Sequence, residues 1–218
     1  MPRQVIMQLY LVHCWDAFTT QNGIEDWHPL WYDWLEFQFP KGTVKVLRMP
    51  NSNSPQIEAW VSALIDAAPI VDEQTVFVGH SVGCQAILRY LSLQKATTVG
   101  AVILIAGWFK LTNLESQDAE RIAQPWVDTS IEFASLASLR KKTSVILSDD
   151  DPFVPLDTNV NVFKKYITED ITILQGKGHF DNCSSIPLLK EKLQHSGFSA
   201  SAGGENPFAD KNAKSENE

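Results

Sequence analysis

Three short stretches carry residue types that could act together on a carbonyl. Gly79-His80-Ser81-Val82-Gly83 sets a serine between two glycines. Ser148-Asp149-Asp150-Asp151-Pro152 crowds three carboxylates into one turn, and Gly176-Lys177-Gly178-His179-Phe180 places a histidine in a glycine-flanked loop. A serine hydroxyl is a weak nucleophile until a base takes its proton, and imidazole becomes that base when a carboxylate orients it. The order along the chain is serine, then carboxylate, then histidine, as a nucleophile elbow requires of its partners.

The elements around these residues are what such chemistry needs. Val71 and Val76-Phe77-Val78 have the β-branched and aromatic character of a buried strand, and Cys84–Leu91 reads as a helix packing through Ala86, Ile87, Tyr90 and Leu91. G-x-S-x-G between a strand and a helix is an elbow: the sharp turn crowds the backbone, so its flanks must lack side chains, and Ser81 is left at the tip. The start of the helix also aims backbone N–H groups and a positive dipole end at any oxyanion formed there. Thr143–Leu147 is a strand that delivers the carboxylates, with Asp149, Asp150 and Asp151 all open as the orienting acid. Ile171–Leu174 is the strand that delivers His179.

The remaining chain alternates in the same way. Val5–Val12 is a first buried strand, followed by His13-Cys14-Trp15-Asp16 at its C-terminal end, where ligands of parallel sheets bind. Trp27–Phe37 has helical spacing, with its tryptophans expected in the core. Val44–Leu47 is a strand, and Ser54-Pro55 resembles an N-cap with proline at the first helical position, opening a helix through Ile57, Trp60, Val61, Leu64 and Ile65. Val99–Ala106 is a buried strand; residues 107–126 form an irregular excursion, enough for a small flap and too short for a large cap. Helices are expected over Ile131–Leu139, Val160–Tyr166 and Ile186–Leu193. Strands alternating with helices predict a mostly parallel α/β sheet over residues 1–195. Residues 196–218 are rich in Ser, Gly, Asn, Lys and Glu and are expected as a disordered tail. Its Asn206-Pro207-Phe208 resembles an EH-domain ligand, though a solvated tail is the simpler reading.

Bulk properties exclude several classes. The 218 residues are 44% hydrophobic and 20% charged, as in an ordinary globular domain. A net charge of −8 argues against nucleic-acid or anionic-membrane partners. The sequence lacks the continuous apolar run of about 18 residues that a membrane span needs, and the N-terminus runs into a strand with no cleavage site, so no signal peptide is expected. Cys14, Cys84 and Cys183 are odd in number and lack C-x-x-C spacing, which fits reduced thiols in the cytoplasm. No pair of histidines has metal-ligand spacing, so neither metal nor cofactor is expected. His80 is expected to pack beneath the elbow and hold it by a hydrogen bond, and His13 to order the turn after the first strand. His28 and His195 are expected at the surface.

The chain resembles the small α/β-hydrolase family of retinoblastoma-binding protein nine and the YdeN-like serine hydrolases. The likeness rests on the first strand and its turn, Met49-Pro50-Asn51 with Pro55, Glu58 and Trp60, the GHSVG elbow, the DDPFVP turn and the GHF turn, spanning residues 5 to 190. It implies an α/β-hydrolase fold with a minimal cap, Ser81 as nucleophile, His179 as base and acid, and Asp151 as orienting acid, with Asp149 and Asp150 as fallbacks. The oxyanion hole is expected to pair the N–H of Val82 with that of Trp15, and Cys14, where relatives often have glycine, is the second choice. Cys14 and Cys84 lack the elbow geometry of a nucleophile. Trp108 and Phe153, with Trp15, are the expected pocket walls. The implied substrate is a small ester or related acyl compound. The alternative is a protein-binding member with an incidental site. No Leu-x-Cys-x-Glu peptide is present, since none of the cysteines has Glu two residues on.

Overall fold

The computed structural model describes residues 7–198 apart from Asn22. Val5 and Ile6 of the expected first strand, and Asn206-Pro207-Phe208 with most of the expected tail, lie outside the described residues. In chain order the elements are β1 (Gln8–Val12), β2 (Thr19–Gln21), β3 (Ile24–Trp27), α1 (Trp31–Gln38), β4 (Val44–Leu47), α2 (Ile57–Ala67), β5 (Thr75–His80) and α3 (Val82–Leu93). They continue with β6 (Ala101–Ile105), α4 (Gln117–Asp128), a 3₁₀ helix over Phe133–Lys142, β7 (Thr143–Ser148), α5 (Leu156–Tyr166), β8 (Ile171–Leu174) and α6 (Pro187–His195).

Six strands form one sheet in the order β4-β1-β5-β6-β7-β8, with every neighbouring pair parallel. Alternate side chains of a strand point to opposite faces, and here the two faces build two cores. Tyr10, Val12, Phe77, Val102 and Leu104 join Trp60, Leu64 and Ile87 beneath α2 and α3. Leu9, Leu11, Val76, Val78, Ile103 and Ile105 join Trp31, Leu35, Leu189 and Leu193 beneath α1 and α6. Helices on both faces explain why the central strands are apolar throughout instead of alternating. From β1 the chain runs to β4 on one side, then crosses to β5 on the other. That reversal makes the C-terminal ends of β1 and β5 a topological switch point, where such sheets bind ligands. His13–Trp15 and Ser81 both sit there.

Several boundaries differ from expectation. Trp27 belongs to β3, not to the helix, which starts at Trp31; Pro29 disfavours helical backbone at His28 and holds the start back. Trp31 and Trp34 are buried as expected. The β2–β3 hairpin was not expected, although Asn22-Gly23 is its sequence signal. Ser54 does not cap α2: its N–H is tied to the Asn51 carbonyl, Gln56 stays extended, and the helix opens at Ile57. Within the excursion, Ser116 caps α4 by accepting the Ala119 N–H at 3.1 Å, so its second half is ordered helix. The helix expected over Ile131–Leu139 runs over Phe133–Lys142 and winds as 3₁₀, its Ser135 N–H reaching the Glu132 carbonyl. At the other end Phe198, within the expected tail, is buried and meets Phe39 edge-on at 4.7 Å between ring centroids.

Candidate active site

The elbow is built by close backbone approach. A β-carbon on Gly79 would lie 2.9 Å from the Cys84 Cα, and one on Gly83 would lie 2.2 Å from the Val12 carbonyl oxygen. Neither position admits a side chain, so α3 can start hard against β5 and β1. Ser81 takes φ 54° and ψ −120°, a conformation that costs on the order of 1–3 kcal/mol for a residue with a side chain. Its own N–H is anchored to the Ile105 carbonyl at 2.9 Å. Packing on both faces holds the strained residue at the tip.

Ser81, His179 and Asp151 come together although far apart in sequence. The Ser81 Oγ lies 2.8 Å from His179 Nε2, and His179 Nδ1 lies 2.7 Å from Asp151 Oδ2. Asp151 Oδ1 accepts the N–H groups of Phe153 and Val154 at 2.9 and 3.1 Å, which leaves Oδ2 to the imidazole. Burial, the largest effect on His179, opposes its charging. The hydrogen bond and charge of Asp151, with the charge of Asp181, outweigh burial and raise the His179 pKa. The Trp108 indole also donates to Ser81 Oγ at 3.3 Å.

Asp149 and Asp150 do not reach the imidazole; they hold its loop. Asp149 accepts the Gly176 N–H at 2.9 Å, Asp150 accepts that of Gly178 at 2.7 Å, and Ser148 Oγ accepts that of Lys177 at 2.9 Å. Ser148 in turn donates to Asp150 at 2.6 Å. Asp149 and Asp150, the fallback acids, thus anchor the backbone that carries His179. The left-handed backbone of Gly176 and Gly178 presents these N–H groups in succession.

A cavity of about 420 Å³ opens over Ser81 and His179, with Trp15, Trp27, Trp108 and Phe153 among its walls. Trp15, Trp108 and Phe153 are thus brought to one cavity, and Trp27 joins them from the unexpected hairpin. Phe153 meets His179 edge-on at 5.5 Å. Asp16, Glu115, Asp118 and Asp181 also line the cavity, and among the described residues no lysine or arginine does.

His80 lies beneath the elbow as expected, fully buried, between the Tyr32 hydroxyl at 2.8 Å and the His179 carbonyl at 2.7 Å. His13 lies under the turn after β1, with Nδ1 2.6 Å from the Cys14 carbonyl and Nε2 accepting the Met49 N–H at 2.9 Å. His195 is exposed. His28 is not a plain surface residue: it stacks on Phe18 and reaches Asp33 at 3.0 Å. The Cys14 N–H donates to the Tyr32 hydroxyl at 3.0 Å, which commits the second-choice oxyanion donor elsewhere. Burial pushes the thiol pKa values of Cys14 and Cys84 up, so neither is poised as a thiolate. Cys14, His80 and Asp181 bring potential ligand atoms within 4.8 Å of one another. Both His80 nitrogens are hydrogen-bonded and the thiol is held protonated, so this donor set does not suit a cation.

The parallel sheet, the strand–elbow–helix at its switch point and the flanking helices define the α/β-hydrolase fold. The sequence matches the serine hydrolase family over residues 12–192, and the chain belongs to that family. It is 29% identical to YdeN of Bacillus subtilis over 193 residues, covering 85% of this chain and 94% of YdeN. The rat serine hydrolase RBBP9 shares 23% identity over 164 residues, covering 73% of this chain and 83% of RBBP9. The crystal structure of the ydeN gene product matches with a TM-score of 0.69 at 25% identity, over 88% of this chain and 100% of that one. Est1E of Butyrivibrio proteoclasticus shares the fold, with a TM-score of 0.56 at 15% identity over 90% of this chain and 88% of Est1E. Among the described residues no helix is long and apolar enough to cross a membrane.

Proposed function

We propose that this serine hydrolase cleaves small carboxylic esters through a covalent acyl-enzyme on Ser81. The observation that carries the reading is the unbroken series Ser81 Oγ–His179 Nε2, 2.8 Å, and His179 Nδ1–Asp151 Oδ2, 2.7 Å, at the floor of an open cavity. His179 takes the hydroxyl proton as Ser81 attacks the carbonyl, and Asp151 holds the ring in the tautomer that leaves Nε2 free to accept. The N–H groups of Val82, at the start of α3, and of Trp15 stabilise the tetrahedral oxyanion. His179 then protonates the departing alcohol, and water, activated by the same imidazole, releases the acid. An alcohol leaves with less assistance than an amine, which favours esters over amides.

The cavity supports two features of the substrate. Aromatic walls in about 420 Å³ suit a short apolar acyl or alkyl group. Four carboxylates without a lysine or arginine disfavour an anionic substrate, so neutral and cationic esters are preferred.

Steady-state hydrolysis of p-nitrophenyl acetate and butyrate tests this, with Ser81→Ala as the control. Turnover by the native protein that is abolished in Ser81→Ala supports the reading. A folded native protein with no turnover above Ser81→Ala across an ester panel overturns it in favour of a binding protein with an incidental site.

A further inference from the structure

Two hydrogen-bond chains converge on the backbone of Cys14, and their directions follow from elementary rules. The His179 carbonyl can only accept, so His80 Nε2 carries the proton in their 2.7 Å contact. Burial first, and the charge of His179 second, depress the His80 pKa to about 3, so the ring is neutral and its Nδ1 is an acceptor. The Tyr32 hydroxyl therefore donates to Nδ1 at 2.8 Å, and its oxygen accepts the Cys14 N–H at 3.0 Å. From the other side, the Cys14 carbonyl can only accept, so His13 Nδ1 donates to it at 2.6 Å, while His13 Nε2 accepts the Met49 N–H at 2.9 Å. Tyr32, His13 and His80 are each fully buried.

The Cys14 carbonyl and the Trp15 N–H belong to one planar trans peptide and point in opposite directions. Fixing the carbonyl toward His13 beneath the turn fixes the N–H toward the other side, where Trp15 borders the cavity above Ser81. We infer that His13, Tyr32 and His80 are positioning residues that aim the Trp15 N–H at the oxyanion and tie that turn to the backbone of His179. The inference rests on the proposed role of Trp15 in ester hydrolysis. It assigns tasks to one residue, Tyr32 on α1, that lies far from the chemistry in sequence and touches none of the reacting atoms.

The test compares esters with thionoesters, whose sulfur accepts hydrogen bonds poorly and gains less from an oxyanion hole. Tyr32→Phe removes both hydroxyl bonds while keeping the ring. The expected result is a fall of about tenfold or more in kcat for the ester, with KM little changed and the ester-to-thionoester rate ratio compressed; deleting a donor outright costs about 10²–10³-fold. An unchanged kcat, or equal losses on both substrates, overturns the inference. Should Tyr32→Phe fold poorly, His13 supplies an independent pair. His13→Asn places an amide near the donating Nδ1 and His13→Gln near the accepting Nε2, so Asn should retain more of the ester preference than Gln. Equal or reversed ratios overturn the inference. Absence of any Ser81-dependent ester turnover in the native protein would instead remove the underlying ester reading, a separate and recognisable failure.

Discussion

Gly83 and Val12 approach so closely that a β-carbon on the glycine would lie 2.2 Å from the valine carbonyl oxygen. The contact is with backbone, which cannot rotate aside. The first turn of α3 is thereby seated directly against the end of β1, next to the turn carrying Trp15. Gly83→Ala should destabilise the protein by about 3 kcal/mol, the upper part of the usual range for overpacking, and should lower activity even where the fold survives. Thermal unfolding beside ester turnover checks both; a variant with native stability would show that the elbow is looser than this contact demands.

The three neighbouring aspartates should separate cleanly. Asp151→Ala removes the partner of His179 Nδ1 and should lower kcat by about three to four orders of magnitude. Asp150→Ala removes the acceptor of the Gly178 N–H and of the Ser148 hydroxyl but leaves the partner of His179 in place, so it should cost about tenfold by letting the His179 loop drift. Asp150→Ala matching the loss in Asp151→Ala would contradict these assignments.

Histidine titration gives the pH dependence. The His179 pKa is raised above its ordinary 6.5 despite burial, through Asp151 and Asp181, so turnover should decline with acid through a midpoint above 6.5. Asp151→Asn, which removes the charge, should move that midpoint down. In stability, the raised pKa means that His179 contributes fully below 6.5 and that this contribution is lost as pH rises through the folded pKa.

The buried histidines work in the other direction. Burial depresses His13 to about 4 and His80 to about 3. Unfolding lets both take protons, so the stability they support is present above 6.5 and is lost as pH falls toward those values. Each contributes up to about 1.4 kcal/mol per pH unit between pH 6 and 4.5, opposed in that window by Asp16 and Asp181, whose carboxyl pKa values burial raises. Direct titration of the two rings by NMR checks the depressed values, and either histidine charging near pH 6.5 in the folded protein would contradict the neutral tautomers on which the network beneath Cys14 depends.

Phe198 should contribute measurably to stability. Its ring is buried against Phe39, so ending the chain after Ser196 should cost about 3 kcal/mol, as for deletion of a buried phenylalanine. A chain ending after Phe198 keeps that ring and should be the more stable of the two. Equal melting temperatures for the two truncations would show that the ring contributes nothing.

The parts of this account legible in the sequence are those with local signals. The Ser81 elbow is announced by flanking glycines between a strand and a helix, and His179 by a glycine-flanked loop after a strand. The residues alone leave the acid as a cluster of three, because the choice depends on which carboxylate faces a histidine 28 residues on; the family resemblance is what singles out Asp151. Two signals were present and unread: Asn22-Gly23 for the hairpin, and Ser116 before Asp118 and Glu120 for the capped start of α4. Tyr32 gave no local signal. Its spacing on α1 is that of a core residue, and its hydroxyl finds His80, 48 residues away, only once α1 packs on the sheet.

Labelling by a fluorophosphonate, with the modified peptide identified by mass spectrometry, reads the activation of Ser81 as a nucleophile. A single adduct is expected on Ser81, lost in Ser81→Ala and formed far more slowly in His179→Ala. An adduct on another residue, or a labelling rate unchanged in His179→Ala, would contradict it.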